Sequence, residues 1–379
     1  MAKKRESAKG SFFLKGKIDI TFLTLTMILL VIGLIMLFSA SYSYALTYYG
    51  NSFKFIIRQL LFAVVGVGFM FFVSKIDYRI YMRFALPLYV VAIILLIAVY
   101  GFPEVANVHR WITIGPIQFQ PSEIGKLAIV VLFAYLISKN SDSMGKLSFI
   151  MILLVLLGVV CALVLFETHV SATVLIFCMG IVMIFVGGLS KKLTAIGLVL
   201  TGGVAVTAVF VIKYYLGYAS DRIMAWLDPW SYPINEGYQT IQSLRAIGSG
   251  GILGRGLGQS RQKYLWIPEP HNDFIFSVVC EELGLIGAMI IIIIFCALVW
   301  RGFTIAMRSQ DKFGSLLALG LTFQVGLQVA LNIMVVTNTI PNTGISLPFF
   351  SYGGTALLLL LAEMGIILSV SRASSLEKA

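Results

Sequence analysis

Apolar runs of about 20 residues, scarcely interrupted by charge, recur along this chain and constrain its fold more than any other feature. Hydrocarbon offers no water to free N–H and C=O groups, so a run of this length crosses a bilayer as a helix, whose backbone bonds are internal. A transmembrane barrel would instead alternate apolar and polar residues in segments of about 10. Ten spans are read, near residues 18–45, 55–74, 84–101, 122–138, 148–166, 170–189, 193–216, 274–300, 314–338 and 353–370. Composition agrees: only 12% of residues are charged and the mean hydropathy is +0.95, where soluble domains carry about 25% charged residues. A disordered chain cannot be this apolar. The first run exceeds the roughly 7–15-residue core of a signal peptide and reads as an uncleaved anchor. The expected fold is an all-α integral membrane protein, a single polytopic domain over residues 1–379 with a basic tail over 1–17.

A net charge of +11 suggests nucleic-acid binding until the charges are placed. With the N-terminus in the cytoplasm, 18 of the 28 Lys and Arg residues fall inside. Arg58, Lys126 and Lys213 lie within spans, and Lys54, Arg110, Arg222, Arg245, Arg255, Arg261 and Lys263 fall outside. The bias of basic residues toward cytoplasmic loops puts both termini inside, with no nucleic-acid partner. Five of the outer seven share one long connection, residues 217–272, between the seventh and eighth spans. Long loops without their own secondary structure are usually functional, and this one is rich in Gly, Trp and Tyr. The chemistry is therefore expected on the outer face. Cys161, Cys178, Cys280 and Cys296 show neither zinc nor disulfide spacing.

Candidate residues cluster there. Asp273 sits where the polar loop meets the eighth span. Acidic residues near hydrocarbon are costly and tend to be functional, although Asp is also a favoured helix N-cap. Arg245, Arg255, Arg261, Lys263 and Arg110 face outward against the charge rule, which favours anion binding over plain contact with headgroups. Guanidinium groups match phosphate oxygens in bidentate fashion. The Gly254-Arg255-Gly256-Leu257-Gly258 run lacks the preceding strand a nucleotide loop requires. Glu269 and His271 flank Asp273, and a divalent cation (magnesium or manganese) held by Glu269 and Asp273 is an open alternative, since magnesium needs only one or two carboxylates plus phosphates. Glu123 and Lys126, three apart on the fourth span, share a helix face and either pair or face a polar cavity. Glu363 in the last span is read as a buried, hydrogen-bonded acid or a cavity-lining one. Pro348 with Gly353 and Gly354 permits broken backbone beside a cavity. His109 and His169 are read as structural.

Several stretches carry a family resemblance. They are Asp228-Pro229-Trp230, Gly237-Tyr238-Gln239, Gln242-Ser243-Leu244, Gly256-Leu257-Gly258-Gln259-Ser260-Arg261-Gln262-Lys263, Pro268-Glu269-Pro270-His271-Asn272-Asp273-Phe274-Ile275-Phe276 and Glu281-Glu282-Leu283-Gly284. Arg110-Trp111, Phe119-Gln120-Pro121-Ser122-Glu123 with Lys126, and Gly344-Ile345-Ser346-Leu347-Pro348-Phe349-Phe350-Ser351-Tyr352-Gly353-Gly354 belong to the same pattern. Over nearly its whole length the chain resembles the shape, elongation, division and sporulation (SEDS) family of peptidoglycan polymerases, its FtsW and SpoVE branches more than RodA. The resemblance implies a bacterial plasma-membrane glycosyltransferase joining the 4-hydroxyl of one lipid II sugar to C1 of another. Its leaving group is a lipid pyrophosphate, which departs without protonation if its charge is stabilised. One base then suffices, in place of the acid and base pair of a glycosidase. The resemblance makes Asp273 that base and Glu123 and Lys126 cavity-lining residues important for activity. It also implies a class B penicillin-binding protein as partner, with other division or sporulation proteins. A lipid II flippase and a non-catalytic scaffold are the competing readings. One departure stands out: Glu167-Thr168-His169-Val170-Ser171-Ala172-Thr173 replaces the family's Pro-Asp-x-Gly-Thr loop, losing its aspartate.

Overall fold

The computed structural model describes residues 14, 16–104, 108–115, 117–189, 224–234 and 237–376. Eight of its helices are long and apolar enough to cross a membrane, and Val170–Val186 is a shorter apolar one. Together they account for nine of the ten expected spans. The seventh, 193–216, lies outside the described residues, as do Lys213 and Arg222.

Local sequence sets the ends. Helix α1 (Ile20–Tyr49) begins at Asp19, whose carboxylate accepts from the Phe22 N–H at 2.9 Å, and stops at Gly50 in the left-handed region. Helices α2 (Lys54–Lys75) and α3 (Tyr81–Ala98) follow. A short hairpin, β1 (Ile112–Ile114) and β2 (Ile117–Phe119), pairs Ile112 with Phe119 and leads directly into α4 (Pro121–Lys139). Pro121 opens that helix, where its missing N–H leaves no bond unmade. Next come α5 (Leu147–Phe166), α6 (Val170–Val186), α7 (Tyr238–Gly250), α8 (Ile275–Met307), α9 (Lys312–Val336) and α10 (Gly354–Leu376). In the bundle α10 packs along α2, α9 on α8 and α4, and α1 on α8. Burial is deepest on α4 and α10, while α2, α3, α5 and α8 keep broad apolar faces toward the outside.

The structure corrects two expectations. The connection after the seventh span is not structureless, because it contains α7, which packs on α8. Gly250 makes the approach possible: a Cβ there would lie 2.1 Å from the Cys280 carbonyl oxygen. The eighth span also continues to Met307, past the expected end at residue 300.

The start of α1 and the end of α10 lie on one face. Asp19 at the start of α1 pairs with Arg301 near the end of α8 at 2.8 Å. Arg372, near the end of α10, donates to the Gly16 carbonyl at 2.8 Å. The same face holds the Arg79–Asp311 pair at 3.0 Å. The hairpin, α7 and Asp273 gather at the opposite end.

Candidate active site

The long apolar helix α8 is broken. Gly284 has φ 68° and ψ −171°, a conformation reserved for glycine, so the carbonyls of Glu281 and Glu282 cannot bond to the next turn of the helix. The loop after α7 takes over. Arg255 N–H donates to Glu281 O at 3.0 Å, Gly256 N–H to Glu282 O at 3.0 Å, Leu285 N–H to Gly251 O at 2.9 Å and Ile286 N–H to Ile252 O at 3.2 Å. Two glycines allow this backbone contact: a Cβ on Gly254 would meet Glu282 O at 2.3 Å, and one on Gly284 would meet Gly254 N at 2.2 Å.

The two glutamates before the break hold the loop with their side chains. Glu281, fully buried, accepts from Ser260 Oγ at 2.5 Å, Arg261 N–H at 2.9 Å, Ser249 Oγ at 3.2 Å and Gln262 N–H at 3.2 Å. Glu282 accepts from Lys263 Nζ at 2.9 Å, Ser39 Oγ of α1 at 2.7 Å and Gly258 N–H at 3.0 Å. Lys263 is buried and also donates to Gly258 O and Ser39 Oγ. An unpaired buried carboxylate is strongly unfavourable, and here each one is matched. The residues expected to bind pyrophosphate thus divide. Lys263 is spent inside the scaffold. Arg255 is exposed, though its Nε lies 3.6 Å from Glu281. Arg245 stands exposed over the Trp230 ring at 5.8 Å. Arg261 is exposed and, among the described residues, anchored through its backbone alone, its N–H donating to Glu281 and its carbonyl accepting from Tyr264 N–H at 3.2 Å.

Asp273 is fixed by its main chain. The carbonyls of His271, Asn272 and Asp273 accept in turn from Tyr352 N–H at 2.9 Å, Ser351 Oγ at 2.9 Å and Asn332 Nδ2 at 2.7 Å. Asn332 also donates to Ile345 O at 2.6 Å, joining the strip to the segment before α10. Gly344, at φ 70°, faces the carboxylate: a Cβ there would come within 3.2 Å of Asp273 Oδ2. Asp273 is not the N-cap. Phe274 holds that place, and the helix starts without a side-chain cap. Nor does the helix terminus keep the carboxyl at an ordinary value. Burial, then the Glu269 carboxylate, push it up to about 6 against the pull of Arg110. Glu269 is exposed and accepts from Asn272 Nδ2 at 2.8 Å. His271 lies inside the protein. Its ring is buried among Phe55 at 4.3 Å, Tyr44 at 5.0 Å and Tyr352 at 5.9 Å, and burial lowers its pKa to about 4, leaving it neutral. Among the described residues no three His, Cys, Asp or Glu side chains gather as a metal cluster.

Arg110 reaches the site through the α5–α6 turn, donating to Glu167 O at 3.3 Å and to Thr168 O. That turn lost the family aspartate yet joins three elements. His169 Nδ1 meets Gln120 Nε2 at 3.0 Å, and Ser171 Oγ donates to Thr343 O. Glu167 is buried, and burial raises it to about 8, so it is neutral near pH 7.

Beside this strip lies a cavity lined by Glu123, Gln324, Gln328, Ser346, Tyr352 and Glu363, among others. Glu123 pairs with buried Lys126 at 2.8 Å, and Lys126 also donates to Gln328 at 3.3 Å. Both readings of Glu363 hold, for it lines the cavity and accepts from Gln324 Nε2 at 2.9 Å. The irregular 341–353 segment forms one wall, as Pro348 and the paired glycines suggested. Sequence reasoning missed Ser39, Gln324, Gln328 and Asn332, and named Glu281 and Glu282 only as part of the family pattern, without a role. For the two glutamates the signal was available: adjacent acids inside an apolar run require partners.

The family model described as a cell cycle protein, FtsW/RodA/SpoVE, matches residues 20–376. Stage V sporulation protein E of Bacillus subtilis is 41% identical over 94% of this chain and 97% of its own length. A probable peptidoglycan glycosyltransferase FtsW of Geobacter sp. (strain M18) is 36% identical over 93% of this chain and 96% of its own. A solved chain from work on the structural coordination of polymerization and crosslinking by a peptidoglycan synthase complex superposes with TM-score 0.79 at 25% identity, over 94% of this chain and 98% of that one. With the matched region running from the start of α1 to the end of α10, the chain belongs to the FtsW/RodA/SpoVE family.

Proposed function

We propose that this chain is a peptidoglycan glycosyltransferase polymerising lipid II into glycan strands in division or sporulation, on the extracytoplasmic face of the bacterial plasma membrane. Asp273 is the observation that carries the reading. It is a half-buried carboxyl, held by its backbone, uncommitted to helix capping and pushed up to about 6. A general base works best with a pKa near the operating pH. The acceptor 4-hydroxyl attacks C1 of the donor. The new O–C1 bond forms, the C1–O bond to pyrophosphate breaks, and the hydroxyl proton passes to the Asp273 carboxylate. Arg261, Arg255, Arg245 and Arg110 supply positive charge to the departing pyrophosphate, which needs no proton. Where a divalent cation takes part, Glu269 and Asp273 are the carboxylates that would hold it against the phosphates; their mutual repulsion, which raises Asp273, is what such a cation would relieve. Its contribution would be charge neutralisation. The chain works with a class B penicillin-binding protein, which cross-links the strands.

The test is purified protein in liposomes with labelled lipid II. Asp273→Asn keeps the shape and should cut strand synthesis by about 10²–10⁴, the contribution of a positioned base. An Asn variant working at the wild-type rate would remove Asp273 from this role and point to Glu269. The charged cavity around Glu123, Lys126 and Glu363 favours a second reading, lipid II transport. Translocation without strands would establish that reading instead.

A further inference from the structure

We infer that residues 251–257 lie at the headgroup boundary of the leaflet on the loop side of the membrane, with the Ile252, Leu253 and Leu257 side chains inserted among the acyl chains and Arg255 and Arg261 at the phosphate level. Depth comes first. Arg301 pairs with Asp19 at the opposite face, and Gly284 lies 17 residues before it on α8. At 1.5 Å per residue the separation is about 25 Å, less than the hydrocarbon thickness of about 30 Å. Backbone bonded to Glu281–Ile286 therefore sits at or just inside the hydrocarbon boundary.

The base of the loop is bonded into α8 and its tip is not, which fixes the depth of its backbone. Irregular backbone survives in hydrocarbon only when its polar groups are bonded within the protein. Gly250, Gly251 and Ile252 carbonyls accept from Gly254, Leu285 and Ile286 N–H, while Arg255 and Gly256 N–H donate to Glu281 and Glu282 carbonyls. Among the described residues the Ile252, Leu253 and Leu257 N–H groups and the Leu253, Gly254 and Arg255 carbonyls have no such bond, so the tip backbone stays in the hydrated headgroup layer while its side chains reach inward.

The side chains point to the same occupant. Ile252 is 66% exposed, Leu253 81% and Leu257 55%. Exposed Leu285, Ile286, Met289, Ile290 and Ile293 continue this surface down α8 toward the far face. Apolar loop and lipid-facing helix wall are thus one uninterrupted surface, joined by the two bonds from Leu285 and Ile286. Arg255 belongs to the loop itself, and exposed Arg261, Tyr264 and Trp266 follow it closely in the chain. Basic and aromatic residues in that position match the headgroup layer, where such side chains are enriched. The inference rests on the multi-pass fold and does not depend on the reaction.

Nitroxide labelling tests it. Leu253→Cys and Ile252→Cys, each made in full-length protein with Cys161, Cys178, Cys280 and Cys296 replaced by Ala, are spin-labelled and reconstituted without any partner in phosphatidylglycerol-containing nanodiscs. Ile293→Cys serves as the hydrocarbon reference and Ser231→Cys as the aqueous one. Both loop labels should favour oxygen over the water-soluble nickel reagent, as at position 293. A preference for the nickel reagent, as at 231, would overturn the inference by placing the loop in water. Exclusion of both reagents would overturn it by placing protein over the tip. Should a labelled variant unfold, Leu257→Cys gives the same reading from the other side of the loop.

Discussion

Lys263→Met should destabilise the protein sharply, and a second substitution should relieve much of the loss. The ammonium lies 2.9 Å from Glu282 and 2.7 Å from the Gly258 carbonyl, with side-chain exposures of 3% for Lys263 and 0% for Glu282. Removing one partner of a buried pair costs about 3–5 kcal/mol, because the other charge stays buried. Ser39 Oγ, Gly258 N–H and Ser260 N–H still bond Glu282, so the lower end, about 3 kcal/mol, applies. Glu282→Gln should cost a similar amount through the stranded ammonium. The double variant strands neither charge and loses only hydrogen bonds, at about 1–2 kcal/mol. Unfolding free energies from denaturing-detergent titration in mixed micelles, measured for all four proteins, give the coupling, and contacting residues reach 0.5–3 kcal/mol on the usual scale. Additive losses would refute the argument. So would a Lys263→Met protein of wild-type stability that has lost only its use of lipid II, which is what a pyrophosphate ligand would show.

Other outcomes follow from the same geometry. The base proposed at Asp273 must be ionised to take a proton, and its pKa is raised to about 6, so activity should be present above that value and lost as pH falls through it. Glu269→Gln removes a repulsion that raises Asp273, and the acid limb of the kcat/KM–pH profile should move to lower pH; an unmoved limb would disconnect the two carboxylates. Gly284→Ala forces a Cβ to 2.2 Å from Gly254 N at φ 68°, and should cost about 2 kcal/mol or more, read as loss of folded protein after extraction. A reporter fused after Ala379 should be active only in the cytoplasm and one near Tyr232 only outside; reversed signals would move the site to the other face.

The spans were legible because hydrocarbon demands an unbroken apolar run, and nothing else in a chain looks like that. That the first and last spans end on the same side was legible from basic residues, and the Asp19–Arg301 and Arg372–Gly16 contacts place the start of α1 and the end of α10 on one face. Asp273 stood out because an acid at a membrane boundary is rare. Its electrostatics did not, since the helix starts beyond it at Ile275, and burial outweighs any help from the helix terminus. Lys263 was misjudged for a clear reason. Counting charges by topological side treats a loop cation as exposed, whereas its counter-charge, Glu282, lies 19 positions away at the start of the next span. Gly284 reads in sequence as an ordinary packing glycine, because only the neighbouring loop reveals that the helix stops there. Helix α7 was hidden by its polar and glycine residues, which are buried against α8 rather than exposed.

The site also shows how a carboxylate can be held firmly without being consumed by its holders. A base that accepted strong hydrogen bonds from the protein would have its pKa lowered and its lone pairs occupied. Here three successive carbonyls, at 271, 272 and 273, take the positioning contacts from Tyr352, Ser351 and Asn332. The Asp273 side chain is steered by the backbone beneath it and given room by Gly344. Asn332 ties that strip to Ile345, and Gln328 donates to the Ser346 carbonyl at 3.0 Å and accepts from Lys126, so the strip and the cavity wall share one frame. The Glu123–Lys126 pair is therefore joined to the main chain of Asp273, the proposed base, by a continuous bonded route through Gln328, Ser346, Ile345 and Asn332.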